Sequence, residues 1–182
     1  MDYTTQYDSP LGPVLLASDG THLIGLWICG QKYDRATLSG EACRNDDLPV
    51  FTEVRDWLDR YFAGKRPVPS ELPLKPRGSV FRQRVWHLLC QVPYGQTTTY
   101  GALAEKLGQQ TGKTENPHAV GGAVGHNPIS LIIPCHRVVG KSGSLTGYAG
   151  GIDKKIWLLR HEGADLAHLF RPGTGKKNRL EK

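Results

Sequence analysis

The sequence predicts an α+β protein in which a small N-terminal β-sheet-plus-helix domain packs on a mainly helical C-terminal domain with a helix-turn-helix. Three observations predict it: strand-like alternation over the first 28 residues, a proline-rich connector, and helical periodicity after the connector. A chain of 182 residues is long enough to bury a core without disulfides. We place the domains at 1–76, connector included, and 77–163, followed by a basic tail at 164–182.

The N-terminal domain begins with three predicted strands, at 3–7, 14–17 and 22–28, which turn residues separate. Residues 30–47 are polar and carry no regular pattern. A helix follows over 48–63, because its apolar residues recur at helical spacing. These are Val50, Val54, Trp57, Leu58, Tyr61 and Phe62. Four prolines between 67 and 76 then form a semi-rigid connector.

The C-terminal domain contains predicted helices at 79–92, at 99–107, where Gly108 ends the helix, and at 117–125. A helix, a polar connection and a second helix are the pattern of a DNA-binding helix-turn-helix. The connection of eight residues is longer than usual, so simple helix packing stays an alternative. The last of these helices has three glycines in eight residues, which favours close approach to a backbone or a minor groove.

Charge is divided unevenly along the chain. Residues 1–75 carry 8 Lys/Arg and 11 Asp/Glu, whereas residues 76–182 carry 15 and 6. The positive half suggests a polyanion such as nucleic acid as partner, although basic surfaces also serve solubility alone. No apolar run is long enough to span a membrane, and the N-terminus lacks the pattern of a signal peptide. We therefore expect a cytoplasmic protein.

Cysteine spacing separates one thiol from the other three. No pair has the C-x-x-C spacing of a zinc site, so we expect no metal and no cofactor. Cys29 and Cys90 lie in apolar patterns and are predicted to be buried, unreactive thiols. Cys135 ends an apolar run, predicted to be a strand, and precedes His136 and Arg137. A thiolate beside a base is a nucleophile; the alternative is a buried cysteine beside a surface His-Arg pair.

Several motifs in a fixed order resemble the O6-alkylguanine-DNA alkyltransferase family. They are Tyr-Gly-x-Leu-Ala at 100–104, Gly-His-Asn-Pro at 125–128, Ile-Pro-Cys-His-Arg-Val-Val at 133–139, Gly-Tyr-Ala-Gly-Gly at 147–151 and Trp-Leu-Leu-Arg-His-Glu-Gly at 157–163. The resemblance covers most of residues 79–163. It implies DNA repair by irreversible transfer of an alkyl group, such as methyl, from O6 of guanine to a cysteine, once per protein molecule.

The resemblance assigns five catalytic positions. Cys135 is the acceptor thiol, His136 is its base through a water molecule, and Glu162 orients His136. Asn127 holds the turn in the reactive segment, which is our name for residues 127–140. Tyr100 donates its phenol proton toward the leaving guanine, where negative charge develops.

The resemblance also implies double-stranded DNA containing O6-alkylguanine as partner and a monomeric protein. The helix at 117–125 lies in the minor groove, and the damaged base flips out of the stack. Backbone groups of Cys135, Val138 and Ala149 read the guanine edge, and Tyr148 walls the pocket. The predicted base and DNA contacts are His118, Ala119, Gly121, Val138, Tyr148, Ala149 and Lys155. His118 departs from the family, which commonly has arginine at this position.

Three other functions remain open from the sequence. A non-reactive relative that only binds alkylated DNA would lack the cysteine that Cys135 provides. A helix-turn-helix regulator would recognise a specific operator and make no use of the thiol. A cysteine hydrolase would turn over and would need an oxyanion hole, for which no sequence feature stands out.

Overall fold

A four-stranded sheet forms the first part of the protein. The computed structural model describes residues 1–173 and residue 180. The strands are β1 (Asp2–Ser9), β2 (Gly12–Ser18), β3 (Leu23–Ile28) and β4 (Ala42–Arg44). Their order in the sheet is β3-β2-β1-β4, with β1, β2 and β3 antiparallel and β4 parallel to β1. The three predicted strands are confirmed, whereas β4 lies in the segment expected to be irregular, because three residues are too few to show alternation.

One helix, α1 (Pro49–Phe62), completes the N-terminal domain. It confirms the predicted helix to within one residue at each end. Val54, Trp57 and Leu58 are buried in the same apolar core as Leu16 and Leu26 of the sheet. The helical stripe therefore covers the sheet, and the domain packs as a sheet with one helix.

Four helices dominate the second half, which confirms the predicted α+β architecture. They are α2 (Val80–Leu89), α3 (Tyr100–Thr111), α4 (Pro117–Gly125) and α5 (Ile152–His161). Ser79 caps α2 by accepting a hydrogen bond from the amide of Arg82. The indole of Trp86 on α2 donates to the carbonyl of Ala123 at 2.8 Å, which fixes α4 against α2.

The end predicted for α3 at Gly108 is wrong. The helix continues to Thr111 and ends at Gly112, whose φ of 68° is the left-handed conformation that glycine adopts without strain. A Cβ at position 108 would lie 2.7 Å from the carbonyl oxygen of Lys113, so glycine here serves close packing of the following turn. The connection to α4 is therefore five residues, 112–116, and is closer to a helix-turn-helix than the sequence indicated.

A second, two-stranded sheet brings distant segments of the C-terminal domain together. Strand β5 (Thr98–Thr99) pairs in parallel with β6 (Val138–Val139). Tyr100 directly follows β5, and a single 3₁₀ turn, Cys135–Arg137, directly precedes β6. The pairing therefore places the first residue of α3 beside the reactive segment.

The reactive segment also joins the N-terminal sheet. The amide of Leu26 in β3 donates to the carbonyl of Pro128 at 2.8 Å, and the amide of Ser130 donates to the carbonyl of Leu26 at 2.9 Å. The apolar run before Cys135, predicted to be a strand, forms no regular strand; Ile129 makes an isolated parallel bridge with Leu26. The chain turns at Leu131, whose φ is 69°, a conformation that bulky residues adopt only under external constraint.

The basic tail expected at 164–182 lies only partly within the described residues. Its first residues pack on the protein, since Leu166 and Leu169 are buried in a small core with Val139, Leu145 and Ile156. Residues 174–179, 181 and 182 lie outside the described part. Within the described residues, no helix is long and apolar enough to cross a membrane.

Candidate active site

Cys135 is the buried member of the four cysteines. Its side chain is 5% exposed, Cys90 is half-buried, and Cys29 and Cys43 are exposed. The prediction that Cys29 is buried is wrong, because this residue already lies beyond β3, at the start of an exposed turn. Burial raises the pKa of the Cys135 thiol, and the hydrogen bond from Asn127 and the charge of Lys155 oppose the rise. The resting thiol is therefore neutral and needs a base.

Asn127 holds both ends of the turn that carries Cys135. Its Nδ2 donates to the carbonyl of Ile133 at 2.7 Å and to the Sγ of Cys135 at 3.2 Å. Its Oδ1 accepts from the amide of Ile129 at 3.0 Å. One buried amide thus satisfies three groups of the segment 129–135, which is how a left-handed Leu131 is maintained between them.

His136 and Arg137 are both buried, so the alternative of a surface His-Arg pair is wrong. The Nε2 of His136 lies 2.6 Å from the Oε1 of Glu162. A carboxylate only accepts, so Nε2 carries the proton and Nδ1 keeps a lone pair. Nδ1 has no hydrogen-bond partner within the described part of the chain. Burial lowers the pKa of His136 against the attraction of Glu162, so the imidazole is neutral near pH 7.

Glu162 is the centre of a buried network. Besides His136, its carboxylate accepts from the Nε and Nη2 of Arg137 at 2.8 and 3.0 Å, the hydroxyl of Tyr61 at 2.7 Å and the amide of Gly95 at 3.1 Å. Burial opposes ionisation, but His136 and Arg137 outweigh it and hold the pKa of Glu162 well below its usual range. A fixed negative charge therefore faces the imidazole.

Lys155 on α5 is fully buried and points away from solvent. Its ammonium donates to the carbonyl of Val138 and to the carbonyl of Thr146, the latter at 3.0 Å. Burial lowers the pKa of Lys155 to about 8, and the nearby Cys135 opposes this shift. The predicted contact residue thus ties together the two backbone segments on either side of the site.

Two tyrosines flank the thiol. The Tyr100 hydroxyl donates to the carbonyl of Thr146 at 3.0 Å. Burial raises the pKa of both Tyr100 and Tyr148, and the negative charge of Cys135, when its thiol is ionised, adds to both shifts, so each phenol keeps its proton. The Tyr148 ring meets the His136 ring edge-on, with centroids 6.4 Å apart. Both tyrosines thus lie close enough to Cys135 to interact with it electrostatically, and their roles in the reaction stay predictions.

A cavity of about 280 Å³ opens between α4 and the loop that carries Tyr148. Its walls include Gly121 and Gly122 of α4, then Tyr148 and Ala149. A Cβ at position 121 would lie 3.6 Å from the Tyr100 ring. The cavity therefore reaches the side of the site where Tyr100 and Tyr148 lie.

The remaining predicted DNA contacts lie on the outer surface of α4. His118 and Ala119 are exposed at the start of the helix. Asn116 caps this end of the helix, where its side-chain oxygen accepts a hydrogen bond from the amide of His118 at 2.8 Å. These two residues are not in contact with the buried network, and a bound macromolecule would reach them from outside.

Comparison with known proteins agrees with this geometry. Two family models match: "6-O-methylguanine DNA methyltransferase, ribonuclease-like domain" over residues 3–76 and "6-O-methylguanine DNA methyltransferase, DNA binding domain" over residues 80–164. The chain belongs to the 6-O-methylguanine DNA methyltransferase family. The resemblance inferred from the motifs is therefore confirmed.

Individual relatives cover most of this methyltransferase. A methylated-DNA–protein-cysteine methyltransferase of Haemophilus influenzae is 42% identical over 163 residues, which are 88% of this chain and 86% of that protein. One of Methanosarcina acetivorans is 39% identical, covering 89% and 99%. The crystal structure of the Mycobacterium tuberculosis O6-methylguanine methyltransferase is similar, with a TM-score of 0.75 at 41% sequence identity, and the match covers 89% of this chain and 93% of that one. The crystal structure of the Mycobacterium tuberculosis OGT in complex with DNA has a TM-score of 0.74, also at 41% identity, and the match covers 88% of this chain and 92% of that one.

Sequence reasoning missed three groups at the site of this methyltransferase. Tyr61 lies on the apolar stripe of α1, and the pattern gives no sign that its hydroxyl reaches Glu162. Arg137 adjoins the predicted base, but only the fold turns its guanidinium inward. The loop after β3 lines the cavity with Lys32 and Tyr33, and no motif marks these residues.

Proposed function

We propose that this methyltransferase repairs O6-alkylguanine in double-stranded DNA by moving the alkyl group onto Cys135. The observation that carries the proposal is the buried chain of contacts from Glu162 through His136 toward the reactive segment. A charged partner fixes the tautomer of the histidine and leaves Nδ1 as the basic atom. This arrangement suits a base that must activate a buried, neutral thiol.

In the proposed reaction, His136 takes the thiol proton through a water molecule, and Glu162 stabilises the imidazolium that forms. The hydrogen bond from Asn127 favours the thiolate. The sulfur then forms a bond to the alkyl carbon as the bond from that carbon to O6 breaks, and the electron pair passes into the guanine ring. Tyr100 supplies a proton to the ring nitrogen N3, so that the guanine leaves neutral.

We infer that the damaged base reaches this site by flipping out of the duplex. The exposed part of α4 consists mostly of small residues, which supports close approach to a minor groove. The guanine edge would meet backbone groups of Cys135, Val138 and Ala149, with Tyr148 as a wall. The product is a thioether, which is not hydrolysed, so each monomer would act once.

The decisive experiment uses duplex DNA that carries labelled O6-methylguanine. We expect one equivalent of label on the protein, and none on the Cys135→Ala variant. The Cys43→Ala variant is the matched control, because it removes an exposed thiol on β4 of the N-terminal sheet and should transfer normally. Multiple turnover, no transfer, or label that persists in Cys135→Ala would contradict the proposal.

A further inference from the structure

Three consecutive residues of the N-terminal domain reach the site in the other domain. The buried Gln31 accepts, through Oε1, from the hydroxyl of Ser130 at 3.1 Å and from the amide of Ile28 at 2.9 Å. The amide of Lys32 donates to the carbonyl of Ala149 at 3.0 Å. Each contact ends on a different segment of the site.

The third residue, Tyr33, stacks on His126 at the end of α4. The two ring centroids are 4.0 Å apart and the planes differ by 22°. The Nζ of Lys32 lies 4.9 Å from the centroid of the Tyr33 ring, on its face. At this separation no base fits between the two rings, so the stack is a continuous wall that joins the two domains.

This wall stands at the outer end of the cavity. Tyr33 and His126 line the cavity together with Tyr148. Tyr148 is buried and meets the catalytic histidine edge-on, whereas Tyr33 is 38% exposed. Tyr33 therefore lines the cavity on its more exposed side and Tyr148 on its buried side.

The backbone of this loop is held in an unfavourable conformation. Tyr33 has a φ of 62° and Arg35 a φ of 59°, and residues with side chains rarely adopt such values without external constraint. Strain of this kind persists only where the surroundings enforce it, and it is found often at functional sites. Here the constraint comes from Gln31 and Lys32, which anchor the loop just before Tyr33.

We propose that Tyr33 is a specificity-determining residue: with His126 it sets the width of the pocket mouth and so limits the size of the O6-substituent that reaches Cys135. The inference rests on the proposed function. An O6-substituent must precede its base into the pocket, because it reacts with the thiol at the inner end. A narrow mouth therefore slows bulky substituents more than methyl.

The test compares single-turnover transfer from two duplexes that differ only in carrying O6-methylguanine or O6-benzylguanine. For Tyr33→Ala we expect the ratio of benzyl to methyl rate constants to rise about three- to tenfold, the factor that corresponds to loss of one aromatic contact. Tyr33→Phe keeps the stack and should stay within twofold of the parent ratio. Arg35→Ala is the control, since it changes the same loop outside the cavity wall.

The outcomes separate the inference from the proposed function. An unchanged ratio in Tyr33→Ala, or an equal change in Tyr33→Phe, overturns the role of Tyr33 even if methyl transfer is normal. Failure of the parent protein to accept methyl at all overturns the proposed function instead. Thermal unfolding of each variant identifies loss of fold, and in that case Tyr33→Leu repeats the test with an apolar side chain that cannot stack.

Discussion

The Nε2 of His136 and the Oε1 of Glu162 lie 2.6 Å apart, and neither side chain is exposed to solvent. Arg137 binds the same carboxylate through two nitrogens. The guanidinium neutralises Glu162, which leaves the imidazole free to stay neutral until it accepts a proton. In the proposed reaction, the reactivity of the buried thiol would depend on the charges of Glu162, His136 and Arg137, and we expect removal of any of the three to lower activity.

We expect Glu162→Gln to lower both activity and stability. The free energy of unfolding should fall by about 3–5 kcal/mol, because Arg137 loses its buried counter-charge. Transfer should slow by about 100-fold or more, since His136 loses the negative charge that stabilises its protonated form. Glu71→Gln is the control: Glu71 pairs with Arg60 near the surface, and such pairs contribute at most about 1 kcal/mol. Denaturation and single-turnover kinetics measure both effects, and similar losses in the two variants would contradict the role of Glu162.

The same pair predicts how stability depends on pH. The folded pKa of Glu162 is lowered, so its contribution is complete above the usual value of 4.5 and is lost as pH falls below it. The pKa of His136 in the folded protein is also lowered. As the pH falls below 6.5, His136 is therefore protonated in the unfolded chain but not in the folded protein, and the free energy of unfolding declines. Denaturation curves should therefore show a difference between parent and Glu162→Gln that grows from about pH 3 to about pH 5, the window in which Glu162 ionises in the unfolded chain. A constant difference would exclude this linkage.

Lys155→Met should lower stability because two buried carbonyls lose their shared donor. We expect a loss of about 2–4 kcal/mol, whereas Lys154→Met, one residue earlier on α5, should stay within about 0.5 kcal/mol of the parent. The folded pKa of about 8 lies below the usual 10.5. The unfolded chain therefore binds more protons between these values, and the stability of the parent relative to Lys155→Met should rise with pH across that window. Parallel profiles would contradict a buried ammonium.

Gly122→Ala should change stability and DNA affinity in opposite directions. A Cβ at this exposed helical position meets nothing within 4 Å, so helix propensity should raise the free energy of unfolding by about 0.5–1 kcal/mol. The added methyl stands on the surface that we expect to approach the minor groove, and affinity for undamaged duplex should fall. Gly101→Ala on α3 is the comparison for helix propensity alone. Unchanged duplex affinity in Gly122→Ala would exclude close approach of this face.

His118→Arg should accelerate repair of duplex DNA without changing the reaction with free O6-benzylguanine. Guanidinium is longer than imidazole and always charged, so it fills the gap left by a flipped base more completely. Thr52→Arg adds the same charge on the exposed surface of α1 and should leave the ratio of the two rates unchanged. Equal acceleration of both substrates by His118→Arg would show that position 118 does not act on the duplex.

Much of the fold could be predicted from local patterns. Strands β1 to β3 and helices α1 to α4 follow from alternation and helical spacing. The end of α3 could not, because Gly108 lies inside the helix for a tertiary reason, its contact with the backbone at Lys113. The apolar run at 129–133 looks like a strand, but Asn127 donates two hydrogen bonds to this region and accepts one, and these hold it in a turn.

The site was predictable only as far as its motifs extend. Cys135, His136, Asn127 and Glu162 stand in recognisable sequence contexts, and the fold brings them together. Tyr61 and Gln31 contribute single polar atoms across the domain boundary, from residues that local pattern classifies as core or loop. Such contacts depend on how two domains dock, which no local periodicity encodes.

The two hydrogen bonds between Leu26 and the segment 128–130 also bear on how such a protein can evolve. The strand that edges the first domain is completed by the segment that leads to the reactive cysteine. Recombination at the proline connector would therefore separate a sheet edge from its partner. Exchange of one half between relatives should succeed only where the incoming half can form the same backbone hydrogen bonds between position 26 and residues 128–130. We therefore expect the two halves to be inherited together.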